Sequence, residues 1–275
     1  MVGRWHSATV IHPGIFIHKA DSDTPSANNV ITESIMTKTK TGVQEWAKHS
    51  FNFQKGCVNG CKYCYARRML KRFEPEVDFD KPVLHITETA KRLLKKKVGG
   101  VIMFPTMHDI TSTTKTIYAQ LLRDLLMLDD KVLVVTKGNK EMFEVINFLN
   151  EACPEKFENL ELRVTIGSKD NERLKYFEPG APSCYERVSL LRYAKMHGIK
   201  VSISCEPMLD DTVKDLIWTA MELECDIWFG LANGYYEESM PKITDKFVQQ
   251  IIQLSITSGF VKLKDSLTGK RSRKE

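Results

Sequence analysis

Three of the chain's seven cysteines fall within eight positions, in the stretch FNFQKGCVNGCKYCYARRM that runs from residue 51 to residue 69. Cys57, Cys61 and Cys64 therefore share one short loop, and their thiolates are soft metal ligands. An odd cysteine count with tight clustering suits metal ligation in a reducing compartment better than a disulfide framework. A structural zinc site closes its tetrahedron with four protein ligands, and the sequence offers no second CxxC or HxxxH pair to complete one. A cubane iron–sulfur cluster held by three cysteines keeps one iron open to something that is not protein. That open iron is a place for chemistry. Gly56 and Gly60 bracket Cys57 and let the backbone wrap closely around a bulky inorganic group.

A loop of this kind has to be carried by a scaffold, and the sequence beyond residue 50 supplies one. Short apolar runs rich in β-branched residues alternate with stretches of helical period, the signature of βα units around a parallel sheet. Six strands are expected: SFNFQ at 50, GVIMFP at 100, KVLVVT at 131, LELRVTI at 160, KVSISC at 200 and DIWFGL at 226. Helices are expected at about 61–73, 85–97, 113–128, 140–152, 184–197, 211–223 and 244–258, each with apolar residues three and four apart. Six repeats are too few for a closed eight-stranded barrel, so the expectation is an α/β partial barrel, with a flat doubly wound sheet as the alternative. Residues 46–262 are read as that barrel domain, residues 1–45 as an N-terminal extension and residues 263–275 as a basic C-terminal tail. In parallel α/β architectures the loops after the carboxyl ends of strands build the site, and the cysteine loop directly follows the first strand.

Composition limits the class of protein. With 275 residues and 42% hydrophobic content the chain can bury a substantial core. No apolar run is long enough to span a bilayer, and the N-terminus carries Arg4, His6 and His12 where a secretory signal would be unbroken and apolar. A cytoplasmic protein without a membrane partner is expected. The net charge of +5 is mild, and its basic runs, KRLLKKK at 91–97 and KRSRKE at 270–275, read as a solvated helix end and a solubilising tail. A nucleic-acid partner stays open, because counterion release rewards any basic surface.

The motif CVNGCKYC resembles the cluster motif of radical S-adenosylmethionine enzymes, whose catalytic domain is a partial (β/α)6 TIM-type barrel. CKYCYARR, VLVVTKG, ELRVTIGS, FEPGAPSCYERV and CEPML further resemble, in that order, the pattern of the spore photoproduct lyase family. The resemblance implies a 4Fe-4S cluster whose unique iron is chelated by S-adenosylmethionine, reductive cleavage to a 5′-deoxyadenosyl radical, and an external electron donor of the flavodoxin or ferredoxin type. Lys137 and Thr165 match a strand-end lysine and a strand hydroxyl that lie near S-adenosylmethionine in that family. Tyr63 and Tyr65 match tyrosines near the radical centre. Thr106 and Ser168 are further strand-end hydroxyls for the cofactor, and Glu206 is a strand-end carboxylate for substrate or ribose hydroxyls.

Each of these residues also has a plainer use. Lys137 can open a solvated loop, Thr165 can serve strand packing and Tyr65 can pack under the first helix. His108 and Asp109 form a polar pair after the second strand, for which a satisfied loop histidine with a helix N-cap near Asp109, Thr111 or Ser112 is a plainer account than a catalytic pair. The sequence also departs from the family. The lyase returns hydrogen to its product radical from a cysteine after the second strand, where this chain has FPTMHDIT. Cys205, on the fifth strand, is the remaining thiol with a strand-end position, either as hydrogen donor or as a small core residue. The substrate expected is thus something other than the DNA photoproduct: a nucleotide, a nucleic acid or a modified peptide. Two other classes stay open, an iron–sulfur electron-transfer or sensor protein and a metal-stabilised nucleic-acid-binding protein.

Overall fold

The computed structural model describes residues 42–232 and 244–268; the N-terminal extension as far as residue 41 and the basic tail from residue 269 lie outside the described residues. Seven parallel strands form one sheet, in the order β1 (His49–Ser50), β4 (Val101–Phe104), β5 (Lys131–Thr136), β6 (Leu160–Thr165), β7 (Lys200–Cys205), β8 (Asp226–Phe229) and β9 (Val261–Leu263). β2 (Gln54–Lys55) and β3 (Val83–Leu84) form a separate antiparallel pair.

The strand order decides between the two architectures. A doubly wound sheet reverses its order at a switch point, whereas here neighbours follow the chain from one edge to the other. Laid flat, seven strands at about 4.8 Å spacing would hold their edges roughly 29 Å apart. Instead Lys264, immediately after β9, donates to the Gly42 carbonyl at 3.1 Å and pairs with Glu45 at 3.1 Å, just ahead of β1. The Asp265 amide donates to the same glutamate at 3.0 Å. The sheet is curled into a partial barrel whose edges are joined by side chains.

Alternation along each strand sets what faces where. On β5, Val132 and Val134 are buried in the main core with the helices α3 (Lys115–Met127) and α4 (Glu141–Ala152). On β6, Leu162 and Val164 do the same beneath α6 (Cys184–Met196), whose start is fixed by a capping box between Ser183 and Glu186. The opposite faces point into the barrel. There Arg163 lies between the rings of Trp46 and Trp228, at 4.7 and 4.8 Å, and bonds Glu161 at 2.7 Å and Ser202 at 2.8 Å.

Several expected elements differ in detail. The strand expected from residue 50 is split, because Gln54 and Lys55 leave β4 to pair with β3. The helix expected from 61 begins only at Tyr65 (α1, Tyr65–Phe73), since the Cys64 sulfur acts as its cap and accepts from the Arg67 amide at 3.5 Å. The one expected at 85–97 is the short α2 (Glu88–Leu93), and its basic end is exposed as expected. The stretch at 211–223 starts as a 3-10 turn, Asp211–Asp215, before α7 (Leu216–Glu222). The helix α8 (Asp245–Ser258) packs against β9, α5 (Asn171–Phe177) contributes Leu174 and Phe177 to the core, and neither α5 nor β9 follows from the sequence pattern. β9 escapes a hydrophobicity reading because Lys262 lies within it and Lys264 just after it, and Lys264 is buried by pairing rather than by apolarity.

Candidate active site

The cysteine loop lies at the carboxyl ends of the strands and is packed there by close backbone approaches on both sides. Gly56 adopts φ +87, and a Cβ there would stand 2.6 Å from the Phe79 carbonyl. From the other side the segment after α5 presses on the loop: a Cβ on Gly180 would be 2.3 Å from the Val58 carbonyl. Backbone bonds from Gly180 to Asn59 at 3.0 Å and from Lys62 to Phe177 at 2.9 Å tie the two segments together.

This loop forms one wall of a cavity at the strand ends, about 1120 Å³ with its open mouth included. Cys57, Cys61 and Cys64 line it, together with Tyr63, Tyr65, Thr106, Lys137, Thr165 and Glu206. All seven cysteines are free, and the other four do not line this cavity among the described residues. Burial pushes the Cys57 thiol up to about 11 and the Cys61 thiol up to about 12, so thiolates at these positions call for a cation. The Cys57 sulfur also faces the backbone N–H groups of Asn59 and Asp109, which favour the thiolate.

Lys137 leaves β5 beside the cysteines, and its ammonium lies 2.7 Å from the Glu178 carboxylate. Glu178 is fully buried and also meets Arg187 at 2.5 Å and the Tyr63 hydroxyl. Burial works against the charged carboxylate, but Lys137 and Arg187 outweigh it and hold Glu178 down at about 2. Arg187 donates onward to the Thr165 carbonyl at 2.8 Å, so one buried carboxylate links the cysteine loop, the end of β5 and the end of β6. Thr106 is fixed by Asn52, which donates to its hydroxyl at 2.8 Å and accepts from its amide at 2.9 Å. The Tyr65 hydroxyl donates to the Thr106 carbonyl.

Glu206 meets Lys264 at 3.4 Å at the cavity wall, and burial raises its carboxyl above the usual range. Lys264 is buried between this carboxylate and Glu45, so the side chains that close the barrel also furnish its wall.

Two expected site residues are elsewhere. Cys205 is fully buried among the core residues on the outer face of β7, because its neighbour Ser204 takes the inward position. Ser168 is fully buried and spends its hydroxyl on neighbouring loops, donating to Asp210 after β7 at 2.5 Å and accepting from the Asp170 amide at 2.8 Å. His108 is buried, accepts from the Phe53 amide at 3.4 Å and is held down at about 4 by burial, which keeps it neutral. Asp109 is not a helix cap, since α3 starts behind Thr114. Asn52, Asn59, Glu178, Arg187 and Lys264 are the members that sequence reading misses. Glu178 and Arg187 lie within the FEPGAPSCYERV motif, so a signal exists for those two.

Comparison with solved structures places this architecture. Spore photoproduct lyase complexed with dinucleoside spore photoproduct superposes with a TM-score of 0.55 at 13% identity, over 83% of this chain and 79% of that one. The chain has the fold of spore photoproduct lyase. A mutant of the lyase with bound AdoMet and dinucleoside spore photoproduct matches with a TM-score of 0.51 at 15% identity, over 76% of this chain and 63% of that one. No family model matches the sequence. An uncharacterized protein of Methanocaldococcus jannaschii is 27% identical over 173 residues, 61% of this chain, and the uncharacterized protein ORF301 of Acidianus two-tailed virus is 26% identical over 203 residues, 65% of this chain. The match spans 62% of the length of each of these relatives. Among the described residues no helix is long and apolar enough to cross a membrane.

Proposed function

We propose that this chain is a cytoplasmic radical S-adenosylmethionine enzyme. The observation that carries the reading is the meeting of Cys57, Cys61 and Cys64 with Lys137, Thr106 and Thr165 around one cavity at the strand ends of a spore photoproduct lyase fold. The donor set fits a 4Fe-4S cluster: three thiols line the cavity without a fourth among the described residues, and burial makes a cation the natural partner of their thiolates. Among the described residues no three such side chains could share one metal ion, which bears on a mononuclear site and not on a cubane, where each thiolate takes its own iron. When bound and reduced by an external donor of the flavodoxin or ferredoxin type, such a cluster supplies the electron that cleaves S-adenosylmethionine to methionine and a 5′-deoxyadenosyl radical.

The chain's own residues then divide the work. Lys137 presents an ammonium at the cavity wall for the carboxylate of the amino-acid moiety, with Glu178 and Tyr63 fixing its position. Thr106 and Thr165 offer hydroxyls along the same wall, and Asn52 holds Thr106 in place. Glu206 and Lys264 offer an acceptor and a donor for the substrate, a nucleotide, nucleic acid or modified peptide. Cys205 is fully buried outside the cavity lining, which argues against it as the hydrogen donor; of the two tyrosines that line the cavity, Tyr63 and Tyr65, we assign that task to Tyr65.

The test is anaerobic reconstitution with iron and sulfide, followed by reduction and incubation with S-adenosylmethionine. Brown protein with one 4Fe-4S cluster and slow release of 5′-deoxyadenosine are expected, and alanine at any of the three loop cysteines abolishes both. Lys137→Ala keeps the cluster and weakens cofactor binding. A loaded cluster that never binds S-adenosylmethionine would turn the reading to electron transfer.

A further inference from the structure

An electron for the cluster has to arrive while S-adenosylmethionine fills the cavity, so its donor needs a face outside the cavity. Two flanks of the cysteine loop are covered, by the segment after α5 at Gly180 and by Phe79 at Gly56. The loop leaves through α1, whose first turn is capped by the Cys64 sulfur and which buries only Ala66 and Leu70. At about 1.5 Å per residue its nine residues carry the chain roughly 13 Å from Cys64. Arg68, Lys71 and Arg72 recur three and four apart on the exposed side of this helix, and none of them lines the cavity. α1 contains no acidic residue. The acids that follow it are answered by other cations: Glu74 by Lys55, Asp78 by Lys81 at 3.3 Å and Asp80 by Arg67 at 2.7 Å. Neither Lys71 nor Arg72 pairs with a carboxylate among the described residues. Met69 is 45% exposed and Phe73 66% exposed on the same helix. The Arg72 guanidinium lies 5.3 Å over the Phe73 ring, so positive charge and apolar surface form one patch.

We propose that the outer face of α1 is the docking surface for an acidic one-electron carrier protein that reduces the cluster. Lys71 and Arg72 meet its carboxylates, and Met69 and Phe73 form the apolar contact. The inference rests on the cluster reading above and gives its electron donor a place to bind. One electron leaves the carrier's reduced iron–sulfur centre, which is oxidised, and enters the chain's cluster, which is reduced; no atom or proton changes hands. Opposite charge steers and registers such a partner, while a desolvated aromatic side chain anchors it. A nucleic-acid backbone would also be drawn to the cations, but exposed methionine and phenylalanine at the patch suit a protein surface rather than phosphates.

The probe is an acidic 4Fe-4S ferredoxin, and the chain is the reconstituted full chain holding S-adenosylmethionine. Affinity is read by surface plasmon resonance on immobilised ferredoxin, and electron transfer by stopped-flow mixing with ferredoxin that has been reduced and freed of excess reductant. At an ionic strength of about 0.01 M, where the Debye length is about 30 Å, both are strongest, and both fall as salt is added. The double variant Lys71→Glu, Arg72→Glu loses at least about tenfold in the second-order rate constant, binds ferredoxin correspondingly more weakly and has a flattened salt dependence. Phe73→Ala weakens binding at high salt as well, where steering is screened. Dithionite, a small reductant that needs no docking face, reduces the clusters of the unaltered chain and the variants at similar rates, which shows fold and cluster intact. Ferredoxin affinity and transfer rates indifferent to the double variant overturn the proposal, as does an equal slowing with dithionite. Loss of single-stranded DNA binding in the double variant with ferredoxin rates unchanged also overturns it and assigns the face to nucleic acid. An unaltered chain that forms no dithionite-reducible cluster sinks the cluster reading itself, whereas a reducible cluster whose ferredoxin binding ignores α1 sinks this inference alone.

Discussion

Glu178→Gln isolates the charge at the centre of the Lys137–Glu178–Arg187 group while nearly preserving its shape. The carboxyl falls from 4.5 to about 2 in the folded chain, and at about 1.4 kcal/mol per pH unit that fall corresponds to roughly 3 kcal/mol of stability. Removing one partner of a buried ion pair costs about 3–5 kcal/mol, so the two figures agree in size. For a chain of this length 1 kcal/mol moves the melting temperature by about 2–4 °C, which makes the expected loss roughly 6–12 °C at pH 7. The sign with pH follows from a depressed carboxyl. Its contribution is fully present above the unfolded value of 4.5 and is lost as pH falls through about 2. The gap between the two proteins is therefore constant near neutrality and narrows below pH 4.5, since every other carboxyl titrates in both. Thermal melts of the cluster-free chains under reducing conditions, read by far-ultraviolet circular dichroism from pH 7 to pH 3, measure this. A variant that melts with the unaltered chain at pH 7, or a gap of unchanged size at pH 3, would refute the reasoning.

Gly180→Ala places a methyl 2.3 Å from the Val58 carbonyl and must push the cysteine loop aside, so iron uptake on reconstitution drops while the helical circular dichroism signal stays; normal iron content would show that the loop yields without consequence. Cys205→Ala removes a small buried group from the outer face of β7, costs about 1 kcal/mol in a urea melt and leaves both iron content and 5′-deoxyadenosine release as they were. Loss of either iron or product would mean that Cys205 reaches the cavity after all. Lys264→Ala leaves Glu45 and Glu206 without the cation they share, and urea unfolding is expected to show about 3–5 kcal/mol less stability. An unchanged urea midpoint would deny Lys264 its part in joining the edges of the barrel.

What can be read in advance follows a physical division. The central strands β4 to β8 are legible because they are buried against helices and carry apolar, often β-branched residues, as Val132 and Val134 or Leu162 and Val164 do. The cysteine triplet is legible because its ligands are close in sequence. The rest of the wall depends on pairs that only the fold brings together. Glu178 and Lys137 are 41 residues apart, and Lys264 and Gly42 are 222 apart, so no local pattern announces either contact. The same distinction separates Thr165 from Cys205. Alternation correctly divides the two faces of a strand, but it does not say which face is the barrel interior until one residue is known to point there. Ser204 points inward, and one step of the pleat then removes Cys205 from the cavity. Lys264 is the sharpest case: an apolar count rejects β9 because of the lysines in and beside it. Yet a lysine held between two carboxylates is what allows that edge of the sheet to turn back towards β1 and bring Glu206 its partner.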